Sequence, residues 1–145
     1  MTRTDGERGS VLVLGVGVVA SCLLAVVVLV DASAAFLQRQ QLFALADTAA
    51  LAGAQAIDLP AYYERGASSA TRLDPSAVSG RVRSHLARSG AAQAFDGLVL
   101  DEVRSDGLQV LVSLSSPLRL PFMSELFPGR VRVESRARLA YRDDG

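Results

Sequence analysis

The sequence has no lysine, a single cysteine and a single histidine in 145 residues. One cysteine, Cys22, allows no intramolecular disulfide and no cysteine metal cluster. One histidine, His85, removes histidine-rich metal sites and leaves few hydrolytic constellations open. A Cys–His pair and a CxxC motif are also missing. Net charge is zero, with 15 arginines against 15 acidic residues, so no overall field favours nucleic acid. Cofactors and metals are therefore not expected, and neither is an enzyme. The length leaves room for one modest domain once an N-terminal segment is set aside.

That segment is Val11 to Val30, twenty residues without a charge, fourteen of them Val or Leu. As a helix it spans roughly 30 Å, the hydrocarbon thickness of a bilayer. At about −0.4 kcal/mol per Val or Leu, insertion is favoured by roughly 5 kcal/mol. A soluble helix without a polar face needs burial on every side, which so small a chain cannot supply. The run exceeds the usual apolar core of a cleaved signal, so a retained anchor is the leading reading. Two alternatives stay open. Cleavage after Ala32-Ser33-Ala34, or lipidation at Cys22 after Val19-Ala20-Ser21, would release a secreted or lipid-anchored binding module.

Gly15-x-Gly17-x-x-Ala20 superficially matches a dinucleotide fingerprint, but the following helix has no polar face and no second strand. Gly15 and Gly17 are better read as permitting close helix contacts in the membrane. Arg3 and Arg8 precede the run and only Arg39 closely follows it, which places the N-terminus in the cytoplasm and the bulk outside.

No Gly or Pro interrupts the chain between Asp31 and Gly53. Phe36, Phe43, Ala50 and Ile57 recur every seven residues, with Leu42, Ala46 and Ala49 beside them. Gln40, Gln41, Asp47, Thr48 and Gln55 fall opposite. The pattern predicts an amphipathic helix continuing out of the membrane and stopping near Leu59-Pro60. Phe36, Phe43, Ala46, Ala49, Ala50 and Gly53 are the candidate surface for packing against partner helices, in a homo- or hetero-oligomer.

From Glu7-Arg8-Gly9-Ser10, and most strongly from Gln40 to Ala54, the sequence resembles the TadE/TadG-like family of tight-adherence (Flp-type) pilus assembly proteins. The run Ala46-Asp47-Thr48-Ala49-Ala50-Leu51-Ala52 carries the likeness, with Asp47 a polar register mark on a close-packing face. Gly9 is not followed by Glu at the fifth position, where Leu14 stands, which speaks against prepilin-type processing and leans toward TadG-like proteins. Asp31-x-Ser33-x-Ala35 lacks the final serine of their metal-binding loop, so Asp31 and Ser33 read as interface residues. The length also suits short TadE-like proteins of actinobacteria. The resemblance implies a membrane-anchored, pilin-like component of a pilus assembly or secretion apparatus, partnered by the lipid bilayer and other pilin-like or Tad-apparatus proteins.

The remainder predicts a small α+β domain. Pro75 to Ser89 reads as a helix with an apolar stripe of Val78, Val82 and Leu86, beside which His85 is a packed or capping side chain. Leu98 to Arg104 and Leu108 to Ser115 read as a hairpin about Ser105-Asp106-Gly107. A loop with Pro117, Pro121, Pro128 and Gly129 leads to a third strand from Arg130 to Arg142. Along it Val131, Val133, Ala137, Leu139 and Tyr141 alternate with arginines. Arg130, Arg132, Arg136 and Arg138 are a candidate basic contact face, set against the simpler reading of a solvated sheet face. Asp101 and Glu102, adjacent on a strand, are expected on opposite faces. The expected organisation is a cytoplasmic terminus at 1–10, a transmembrane helix at 11–30, a helical extension at 31–58 and an extracytoplasmic domain at 59–145. The fold class is α+β, with a long N-terminal helix, one further helix and a three-stranded antiparallel sheet.

Overall fold

The structure, a computed structural model, describes residues 5–56 and 73–138, with side chains from residue 10 onward. Arg3, the side chain of Arg8, Ile57, the Leu59-Pro60 stop and the strand's expected end at Leu139 to Arg142 fall outside what it describes. Helix α1 runs unbroken from Asp5 to Ala54, 50 residues, or about 75 Å at the usual rise. It has two environments along its length. Val11 to Val30 is exposed on all sides except at Val27, and an 18-residue window of the helix reaches a mean hydropathy of 3.0 with none of it buried. From Leu42 onward one face disappears beneath the chain's own head.

The head comprises α2 (Pro75–Arg88), α3 (Ala91–Ala94), β1 (Val99–Ser105), β2 (Gln109–Pro117) and β3 (Arg130–Arg138). The three strands form an antiparallel sheet in the order β1-β2-β3. Helix α2 starts where expected because Asp74 caps it, accepting from the Ser76 N–H at 2.9 Å, with Pro75 in the first turn. Helix α3 is a single turn that no apolar period announced, so the described residues hold two helices beyond α1 where one was expected.

The core lies between α1, α2 and the inner sheet face. Leu42, Ala46, Ala49 and Ala50 of α1, Val78 and Val82 of α2, and Val110, Val112 and Leu114 of β2 are wholly inaccessible to solvent. Small residues on α1 let the helix axis approach the sheet closely. At Gly53 the approach is closest: a Cβ there would lie 2.9 Å from Val82 Cγ2 and 3.1 Å from Val110 Cγ1. Helix α1 ends at Ala54, short of Leu59, where Ala56 N–H donates to Gly53 O at 3.0 Å. That tightened turn carries Ala54 and Ala56 into the core.

The hairpin turn is as expected. Gly107 takes φ +92, and Asp106 accepts from the N–H groups of Leu108 and Gln109 at 2.9 and 2.7 Å. One expectation on β1 fails. The register slips between Leu100 and Glu102, a β-bulge that gives the strand one extra residue and turns Asp101 and Glu102 to the same, outer face.

Candidate interaction surfaces of the long helix

The structure separates the candidate residues on α1 into three groups. Gly15 and Gly17 lie in the apolar run, and nothing of the chain comes within 4 Å of the Cβ either lacks. Ala46, Ala49, Ala50 and Gly53 are covered by the chain's own sheet and α2. Phe36 and Phe43 stay outside, 61% and 50% exposed, and with Arg39, Gln40 and Ala44 they line one open groove on the helix. Leu51, half-exposed, extends this apolar side. The seven-residue recurrence keeps one side of the helix but runs from an open stretch to a covered one: Phe36 and Phe43 are exposed, whereas Ala50 lies beneath the head.

Among the described residues, Asp47, Gln38 and Asp31 tie α1 to the head. Asp47 Oδ1 accepts from the Ser135 hydroxyl at 3.0 Å on the inner face of β3. Gln38 spans the end of β2, donating from Nε2 to Pro117 O at 2.6 Å and accepting from Arg119 N–H at 3.0 Å. Asp31 Oδ1 accepts from Phe122 N–H at 3.1 Å. Ser33 plays no such part; its hydroxyl donates to Leu29 O within the helix. Gln38 was not singled out in the sequence, where it is one glutamine among three in four residues and its partners lie about 80 positions away.

The arginines of β3 alternate onto the outer sheet face, and most are engaged there. Arg130 donates to Gly97 O and to Ser115 Oγ, both at 3.2 Å. Arg132 donates to Ser113 Oγ at 3.0 Å and faces Asp101, while Arg136 pairs with Glu134 at 2.9 Å. On β1, Arg104 pairs with Glu102. Arg138 contributes to holding the Asp106 carboxyl below its ordinary range, after the hydrogen bonds from Leu108 and Gln109. These are exposed pairs, worth little individually. The bulge brings two carboxylates to one face, but each meets an arginine on an open sheet. Among the described residues, no group of three or more His, Cys, Asp or Glu is placed to hold a metal ion.

A long apolar helix that also forms the spine of a small α+β head fits a membrane anchor bearing a small head. Residues 9–56 match the family described as "Putative Flp pilus-assembly TadE/G-like". The match covers the apolar run and the whole small-residue face through Ala56. No curated protein and no solved structure matches the chain. The family match and the apolar helix together support a pilus-related membrane component.

Proposed function

We propose that the chain is a non-enzymatic, single-span subunit of a pilus assembly or related secretion apparatus, with its N-terminus in the cytoplasm and its head outside. It acts by lateral helix packing. Its small-residue face serves its own head, and the Phe36–Phe43 side of α1 docks against a second pilin-like helix.

The observation that carries this is the division of α1 at one height. Leu42 and Ala46 have no solvent exposure, while Phe43 between them is 50% exposed. An apolar groove with aromatic walls, just above the bilayer and continuous with an all-apolar span, loses free energy by remaining in water. Gly15 and Gly17 extend the same potential contact into the membrane. Retention of the span is supported by the unbroken helix through Ala32-Ser33-Ala34 and by Asp31, which a cut after Ala34 would remove together with its hydrogen bond to the head. The basic outer face is assigned a solvated role, since its arginines satisfy one another's acidic neighbours.

The test is photo-crosslinking in native membranes, with a photoreactive residue at Phe36 or Phe43 and a control at exposed Arg83 on α2. Adducts with a second membrane protein, or with another copy, are expected from the two phenylalanine positions. Equal adduct yields from Arg83 and Phe43 would sink the docking face.

A further inference from the structure

The loop joining β2 to β3, residues 118–129, contributes no side chain to the core cluster, yet it exposes Phe122, Leu126 and Phe127 at 62%, 73% and 60%. Isolated exposed apolar side chains need no explanation; three large ones within six residues do. The position of this loop along α1 is set by two hydrogen-bonded levels. Gln38 holds its start, through Pro117 O and Arg119 N–H. Asp31 holds Phe122 N–H. Seven residues of helix separate those levels, about 10 Å, so the chain descends along α1 from β2 toward the apolar run. Leu118 N–H donates to Gly129 O at 2.8 Å and closes the loop's neck.

The lower level coincides with the edge of the span. Asp31 is the first residue after Val30, and helical side chains lean toward the N-terminus. Its carboxylate therefore lies over the last turn of the apolar run. Asp31 is only 4% exposed and its Oδ2 has no hydrogen-bond partner, so the carboxylate is covered rather than open to water. Val27, one turn earlier on the same side, is the one residue of Val11 to Val30 that is partly covered.

We infer that this loop is a second membrane contact: Phe122, Leu126 and Phe127 enter the headgroup–acyl boundary of the leaflet from which α1 emerges. Asp31 is its positioning residue, fixing the loop's depth against the helix. Two contacts, a span and a loop beside it, hold the head at one tilt and so present the Phe36–Phe43 groove laterally to a neighbour in the same membrane. The inference rests on reading Val11 to Val30 as a retained span, and its test separates the two.

The full chain carrying Cys22→Ala is given single cysteines by Leu24→Cys, Leu126→Cys or Arg83→Cys. Each is labelled with an environment-sensitive fluorophore and reconstituted in phosphatidylcholine–phosphatidylglycerol vesicles. Lipid-borne spin labels are expected to quench positions 24 and 126 but not 83, with position 126 about 5–10 Å inside the interface. Quenching at 24 with position 126 behaving like 83 leaves the anchor standing and overturns the loop contact. Protection of 126 from both lipid-borne and aqueous quenchers also overturns it, showing protein over the loop. No quenching at 24 removes the span and the loop contact together.

Discussion

A Cβ added at Gly53 meets Val82, Val110 and Val78 at 2.9, 3.1 and 3.3 Å, whereas one added at Gly80 meets nothing within 4 Å. Both glycines are helical, so alanine brings each about 1 kcal/mol of helix propensity. At Gly53 the three neighbours are β-branched and stiff, and overpacking of about 1–3 kcal/mol outweighs the gain. Gly53→Ala is expected to lower the thermal midpoint in detergent and Gly80→Ala to raise it; the same sign for both would refute this packing. The Asp47–Ser135 bond makes a second prediction. Ser135→Ala and Asp47→Ala should be non-additive, with a coupling of about 1 kcal/mol in a double-mutant cycle. Asp47 stood out in sequence as the one acid in an alanine-rich run. Gln38 did not, and Asp31 was read as an interface residue without its partner, because both depend on groups that only the fold brings to them.

At the scale of elements, alternation and turn chemistry made the hairpin and β3 legible, and Pro75 marked the start of α2. What stayed hidden had no local pattern: the single turn of α3, the early end of α1, and the bulge that moved Asp101 beside Glu102. The hairpin and the α2 cap also give the head an acid response. Backbone N–H groups of Leu108 and Gln109 hold Asp106 below its ordinary value of 3.8, and the Ser76 N–H followed by its hydroxyl does so for Asp74. With folded-state values depressed, the unfolded chain takes up protons first. The stabilisation is complete above the ordinary value and is lost as pH falls through the lower folded-state value. The thermal midpoint should therefore be flat near neutrality and drop below about pH 4. Asp106→Ala should start lower and lose less on acidification; an unchanged acid slope would show that the turn does not contribute.

For the whole molecule, one continuous helix is apolar enough in its first part to cross a bilayer and forms one wall of the head's core in its second. The exposed apolar helix was legible from composition alone, because a run without a polar face leaves nothing for water to solvate. The extension was legible as a helix but not in its allegiance. A stripe of alanines packs equally well against a partner or against the chain's own sheet, and the choice is made by β2 and β3, more than 50 residues later in the sequence. The function of the helix therefore turns on which side of residues 36–53 is free. Cysteine accessibility measures this most directly, in a Cys22→Ala background, comparing Ala49→Cys with Phe43→Cys in purified protein and in native membranes. The account expects Ala49→Cys to resist maleimide in both settings, and Phe43→Cys to react when purified but to be shielded in native membranes. Rapid labelling at Ala49→Cys in the purified, folded chain, with its shielding only in native membranes, would mean that the small-residue face belongs to a partner and not to the head.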